Sequence, residues 1–403
     1  MKSVGKIKIA GSLLIAGMLL LSGCATPESV TANNTKKGNI MSDREIAKFD
    51  KAMGYKNEAV DGMDWYSVDA PNVELTGLYW RKPGEAFRRI PFTSKVSDGV
   101  DFLAWNTAGV MLRFRTDSQE IKVNVKVGHA CRMDHMAHVG IMGFDIYLGS
   151  GSSKFYAGST RFDHNKDEYN VKILEPFPTK KMREFTIHFP LYSGVESFRL
   201  GVNEGSVVEL PTPWKDPRPV VVYGTSIQQG GCASRPGMCH TNQMSRMLDR
   251  PFINLAFSGS GKGEPEMAEL IAQIKDPAMI VLDYDANAHC DGLEATLPTF
   301  IDIIRKAHPE VPILLVSRLP FKDEFLETNE YKEDRFRYTA IHMAELKRRR
   351  DMGDKNIHFL DGSTLYGPDP SECTVDGCHA TDLGFYQISK RMAPVIERIL
   401  TQF

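Results

Sequence analysis

Pro219-Val220-Val221-Val222-Tyr223-Gly224-Thr225-Ser226 is the stretch whose reading decides the fold of this 403-residue chain. Pro219 to Tyr223 is an apolar run that reads as a buried parallel strand. It ends in a tight Gly-Thr-Ser turn, so Ser226 falls at a strand's C-terminal end, where open α/β sheets place their ligands. Downstream, strand candidates at Ile253–Ala256, Ala278–Asp283, Val311–Val316 and Ile357–Leu360 alternate with helix candidates at Thr241–Leu248, Glu264–Ile274, Glu294–Ala307, Arg335–Arg350 and Asp382–Leu400. This alternation predicts a parallel sheet covered on both faces, a three-layer α/β/α domain over residues 218–403. Glu264-Pro265-Glu266 starts its helix well, since proline suits the first turn and acidic side chains suit the positive end of the dipole.

Upstream the pattern changes. Residues 61–205 lack long helical periodicity. Val110–Phe114, Ile121–Val127, Gly143–Leu148, Arg183–Phe189 and Phe198–Val202 are short apolar or alternating runs separated by turn residues, which predicts an N-terminal β-sandwich. Residues 206–217, with Pro211, Pro213 and Pro217, read as a linker. Residues 25–60 are polar and read as a tether.

The chemistry begins with Asp376-Gly377-Cys378-His379. An Asp three residues before a His can orient its imidazole, and an oriented His can take the proton of a serine hydroxyl such as Ser226. Either motif alone reads equally as a turn serine or a surface histidine. Two further pieces lie between them. Asn254-Leu255-Ala256-Phe257-Ser258-Gly259-Ser260-Gly261 is a glycine-rich turn before a helix, and Leu282-Asp283-Tyr284-Asp285-Ala286-Asn287 closes another apolar strand. The turn offers backbone N–H groups to an anion and the asparagine offers an amide, the donors that a tetrahedral oxyanion requires.

The order Ser, Gly, Asn, Asp-x-x-His resembles the SGNH (GDSL-like) hydrolase superfamily. The blocks from Tyr223 to Gly237 and from Asn254 to Gly261 resemble the branch with a GxDLY N-terminal domain, whose signature is similar to Gly143-Phe144-Asp145-Ile146-Tyr147. The resemblance covers about residues 70 to 403. It implies that Ser226 is the nucleophile, His379 the general base and Asp376 its orienting carboxylate. It implies an oxyanion hole of the Ser226 N–H, Gly259 and Asn287. Thr225 stands where the broader pattern has Asp, and Ala256 and Ser260 stand where this branch often has Gly and Asn. The choice between Gly259 and Gly261 stays open.

The N-terminus carries its own signal. Lys2, Lys6 and Lys8 precede an apolar stretch from Ile9 to Leu21, followed by Leu21-Ser22-Gly23-Cys24. This reads as a secretory signal over residues 1–24, and its ending resembles a bacterial lipobox. The expectation is an exported envelope lipoprotein, on the periplasmic or outer-surface side, lipidated at Cys24. A plain signal peptide is the alternative; the run is short for a membrane span.

A net charge of −2 argues against a nucleic-acid footprint. Six cysteines follow Cys24, at positions 131, 232, 239, 290, 373 and 378. Export makes disulfides plausible, and bridges Cys373–Cys378 and Cys232–Cys239 are weighed equally against buried thiols. His129, Asp134, His135 and His138 invite a metal, but their spacing matches no standard motif, so a cleft-edge role is expected and no metal. Asp283 and Asp285 flank the strand end before Asn287 and invite a glycosidase-like carboxylate pair, but they are not expected to face one substrate. Lys347-Arg348-Arg349-Arg350 reads as a solvated helix end. Arg235 and His135 are candidates for a substrate rim, Arg235 equally for a structural role.

These readings lead to a cofactor-independent serine esterase, since a triad and an oxyanion hole suffice for acyl transfer. Family analogy points to O-acetyl groups on carbohydrate. A lipase or acyl-thioesterase, and a non-catalytic glycan-binding lipoprotein, are the alternatives.

Overall fold

The computed structural model describes residues 48–49, 62–324, 326 and 329–402. The signal and lipidation features read at residues 1–24 lie outside the described residues, as does the tether apart from 48 and 49. The N-terminal part holds β1 (Met63–Ser67), β2 (Glu74–Thr76), β3 (Met111–Thr116), β4 (Ile121–Gly128), β5 (Asp145–Leu148), β6 (Phe155–Ser159), β7 (Glu168–Lys172), β8 (Arg183–His188), β9 (Gly194–Asn203) and β10 (Val208–Glu209). They form two antiparallel sheets of order β1-β9-β4-β7 and β10-β3-β8-β5-β6, with β2 added on β3. In β4, Ile121, Val123, Val125 and Val127 are buried while Lys126 is exposed, the period-2 pattern of a half-solvated sheet.

Five strands escape the sequence reading. β6 exposes Phe155 and Tyr156 at a sheet edge and buries no residue fully, and β7 hides its buried Tyr169 and Val171 among polar neighbours. The proline-rich linker is also not a free connector. Val208 and Glu209 pair with Thr116 and Arg115. Thr212 donates to Glu184 through its N–H and hydroxyl at 3.1 and 2.6 Å, and Arg113 lies 3.6 Å from the Trp214 ring centre.

The C-terminal part is one parallel sheet of β11 (Val220–Gly224), β12 (Phe252–Ala256), β13 (Met279–Asp283), β14 (Ile313–Val316) and β15 (Ile357–Leu360), in the order β12-β11-β13-β14-β15. Helices in chain order are α1 (Asp98–Leu103), α2 (His138–Met142), α3 (Ser226–Gln229), α4 (His240–Leu248), α5 (Pro265–Ala272), α6 (Asp285–Ala307), α7 (Asn329–Asp351) and α8 (Asp382–Leu400). Val220 and Val222 pack with Met244 of α4 and Phe385 of α8, whereas Val221 and Tyr223 pack with Met267 of α5 and Phe300 of α6. Both faces of β11 are therefore dry, which is why it reads as a continuous apolar run. β12 lies on one side of β11 and β13 on the other, so strand order reverses at β11 and opens a crevice at its C-terminal end.

The two parts share one apolar core, in which Leu191 and Tyr192 join Ile227 and Cys232. Arg89, 1% exposed, ties them further by donating to the carbonyls of Asn254 (3.1 Å), Ala256 (2.7 Å) and Leu103 (2.8 Å). The α6 helix starts nine residues earlier than the Glu294 expected, and His289 at φ 57° breaks it internally. The basic run differs from expectation at Arg349, which is buried and bound to Glu345 and Asp302. Among the described residues no helix is long and apolar enough to cross a membrane.

Candidate active site

Ser226 opens α3 directly after β11. Thr225 caps that helix through a reciprocal exchange, its N–H donating to Gln228 Oε1 at 2.8 Å. Gly224 is needed here, because a Cβ would come within 2.7 Å of the Gln228 side chain and 2.8 Å of the Asp283 carbonyl. The Ser226 carbonyl accepts from Gly231 N–H (2.8 Å) and from the Tyr192 hydroxyl of the sandwich (3.2 Å). These bonds hold the turn rigidly at the switch point.

The Asp376–His379 turn closes over it from the far end of the chain. His379 Nε2 lies 2.9 Å from Ser226 Oγ, and His379 Nδ1 lies 2.7 Å from Asp376 Oδ2. Asp376 Oδ1 accepts from the backbone N–H groups of His379 (2.7 Å) and Cys378 (2.9 Å). Partial burial works to raise the Asp376 carboxyl, but the bonds from His379 and from the two N–H groups outweigh it and hold it at about 2. The carboxylate therefore stays charged where an imidazole titrates, which suits it to hold one tautomer of His379.

Gly259 and Gly261 separate by geometry. Gly261 N–H is committed to the Phe257 carbonyl at 2.9 Å, and its Cα packs so closely that a Cβ would sit 2.1 Å from the Gly224 carbonyl. Gly259 is at φ +66° and a Cβ on it would meet nothing within 4 Å. Asn287 lies beside Gly259 in the first turn of α6. In one orientation its amide donates to the Phe257 carbonyl at 3.4 Å; turned over, its oxygen accepts from Gly259 and Ser260 N–H, each at 3.3 Å. Ser258 N–H is held by Gln229 Oε1 at 2.9 Å, which joins this turn to α3.

The other sequence candidates divide. His135 reaches the site: its Nε2 is 3.8 Å from Asp376 Oδ2 and its ring meets the His379 ring edge-on, centroids 5.9 Å apart. Its sequence neighbours go elsewhere, His129 stacking on Trp105 and His138 on His164. Arg235 does not rim the cleft. It pairs with buried Asp145 at 2.7 Å and with Tyr147 Oη at 2.7 Å, two residues of the Gly143–Tyr147 signature. Asp285 is not on the strand with Asp283; it opens α6 and accepts from Arg318 N–H at 2.8 Å. Burial first, then the Asp285 charge, pushes the Asp283 carboxyl well above the usual range.

The six described cysteines are all unbridged, so neither weighed disulfide forms. Cys373 instead turns its thiol to the carbonyls of Asp369 and Tyr366 at 3.5 and 3.6 Å. Cys232 lies beside the site, its thiol within 4.8 Å of ring nitrogens of His379 and His135, and its sequence signal is its place in Gly230-Gly231-Cys232 just after the nucleophile turn. Burial, with Asp376 and Cys378 nearby, pushes its thiol up to about 12.

Residues 217–397 match the GDSL-like Lipase/Acylhydrolase family, and residues 63–208 match the GxDLY family, the N-terminus of SGNH hydrolase-type esterases. A protein from Bacteroides ovatus described as a GDSL-like lipase is 28% identical, with a TM-score of 0.76 over 84% of this chain and 98% of its own. The salicylyl-acyltransferase SsfX3 of a tetracycline biosynthetic pathway is 21% identical, with a TM-score of 0.64 over 84% of this chain and 98% of its own. An acetyl xylan esterase, Est2A, from the rumen bacterium Butyrivibrio proteoclasticus is 10% identical, with a TM-score of 0.53 over 85% of this chain and 99% of its own. No curated protein matches. With both of its folded parts accounted for in this way, the chain belongs to the GDSL-like (SGNH) hydrolases with a GxDLY N-terminal domain and is a serine ester hydrolase of that type.

Proposed function

We propose that this esterase removes O-acetyl groups from carbohydrate, with Ser226 as nucleophile, and that it is exported to the cell envelope, on the periplasmic or outer-surface side, on a lipid anchor at Cys24. The observation that supports the catalytic assignment is the hydrogen-bonded path from Asp376 through His379 to Ser226, at 2.7 and 2.9 Å. His379 draws the proton from Ser226 Oγ as that oxygen attacks the ester carbonyl. The resulting oxyanion is met by the N–H groups of Ser226 and Gly259 and by the Asn287 amide. Collapse breaks the bond to the alcohol, which leaves with the proton from His379. Water, deprotonated by the same imidazole, then attacks the acyl-enzyme and releases the acid and free Ser226. No step calls for a cofactor.

The acetyl-carbohydrate reading is supported by the fold shared with an acetyl xylan esterase. The lipid anchor rests on Leu21-Ser22-Gly23-Cys24 after a short apolar run. A lipase is the second reading, favoured by the name of the 28% identical neighbour. The deciding experiment measures acetate release from a panel of acetylated glycans beside turnover of p-nitrophenyl acetate, butyrate and decanoate, with Ser226→Ala as control. Preference for decanoate would establish a lipase. Glycan binding without turnover of any ester would establish a binding protein.

A further inference from the structure

We propose that His135, Cys232 and His379 form a binding site for a thiophilic divalent cation, of the class of Zn²⁺, and that filling it stops ester turnover. One ligand atom from each of the three side chains lies within 4.8 Å of the other two. Two imidazoles and a thiolate, with water as the fourth ligand, make a tetrahedral zinc site, whose bonds of about 2.0–2.3 Å hold ligand atoms about 3.3–3.7 Å apart. Side-chain rotations of about 1 Å close the difference.

The three residues come from three separate places. His135 arrives from the sandwich loop before α2, Cys232 from the turn after α3, and His379 from the turn before α8. The Cys232 turn is pressed on the imidazole, since a Cβ at Gly231 would lie 3.2 Å from His379 Cδ2. Cys232 itself sits at φ +76°, a conformation costly for any residue but glycine, and strain of this kind concentrates at functional sites. His379 also has a carboxylate behind it, Asp376 at 2.7 Å from its Nδ1, the arrangement that orients histidine ligands, whereas the buried His135 Nδ1 has no hydrogen-bond partner among the described residues. This is a different set from the consecutive histidines that the sequence suggested.

Metal binding releases the Cys232 proton to solvent. Inhibition follows from the reading of His379 as general base. Whichever nitrogen binds the cation, a bond is lost, because Nε2 faces Ser226 and Nδ1 faces Asp376.

The test uses the full chain. Co²⁺ titrated into Ser226→Ala should give a saturable thiolate-to-cobalt band at one equivalent. Cys232→Ser should abolish it, and His135→Ala, at a partly exposed position that folding tolerates, should weaken binding at least about tenfold. In the wild type, Zn²⁺ should inhibit p-nitrophenyl acetate hydrolysis reversibly to chelator, with the half-inhibiting concentration at least about tenfold higher in His135→Ala. Absence of the cobalt band, or Zn²⁺ inhibition equal in wild type and His135→Ala, overturns the site. A wild type that turns over no ester refutes the esterase reading instead, and the cobalt band still decides the metal.

Discussion

Replacing Arg235 by alanine tests what joins the sandwich to the hydrolase domain. Asp145 is 0% exposed, and its carboxylate is neutralised by Arg235 at 2.7 Å, with one further bond from Gly237 N–H at 2.9 Å. Burial already pushes that carboxyl up against the pull of Arg235 and Arg246, so the ion pair has little margin. Stripping one partner from a buried pair costs about 3–5 kcal/mol, because the remaining charge stays desolvated. Arg246 remains near, its guanidinium 3.8 Å from the Tyr147 ring centre, which places the loss near the lower end, about 3 kcal/mol. For a chain of 403 residues, at about 1–1.5 °C per kcal/mol, the Tm should fall by about 3–5 °C. Differential scanning calorimetry reads it directly. Asp145→Asn with Arg235→Met removes both charges and should recover more than half of the loss. KM for p-nitrophenyl acetate should barely change. An unaltered Tm with a raised KM would refute the latch and restore Arg235 to the substrate rim.

Asn287→Ala should lower kcat by about 100- to 1000-fold with little change in KM, since its amide is assigned to the oxyanion; a change confined to KM would move it to substrate binding. The Asp376 carboxyl is held at about 2, below its ordinary value, so its ionised form stabilises the fold above about pH 4 and that contribution is lost as the pH falls through 2. The Tm gap between wild type and Asp376→Asn should accordingly narrow between pH 4 and pH 2, and a gap independent of pH there would contradict the assignment. Cys24→Ala should move the protein from the detergent to the aqueous phase on phase partitioning, and identical partitioning of both forms would remove the lipid anchor. A fragment of residues 206–403 should aggregate or melt far below the full chain, because it exposes the apolar surface that meets Leu191 and Tyr192 and loses Arg89 from the carbonyls of Asn254 and Ala256. A fragment equal to the whole in melting and acetate release would show the two parts to be independent.

Local chemistry made much of this chain legible before any coordinates. β11 announces itself because burial on both faces demands an unbroken apolar run, and the turn after it puts Ser226 in the crevice by topology. Asp376 and His379 are legible because the bond between them spans three residues. β4 is legible from its alternation. Gly259 and Gly261 could not be told apart, because the distinction is whether an N–H is already spent on Phe257 and how closely Gly224 approaches, both set by the fold. The choice between a rim and a structural role for Arg235 stayed open for the same reason, since its partner Asp145 lies ninety residues away. The sequence by itself determined the division into β-rich and α/β layers, which depends on periodicity within a few residues, while the roles of Ser226, Asp376 and His379 came from the resemblance of several ordered blocks. Only the tertiary structure decided that the sandwich supplies His135 and Tyr192 to the same centre, that Cys232 stands beside His379, and that the linker adds Val208 and Glu209 as a short edge strand, because contacts between distant segments follow from packing and leave no periodicity in the chain.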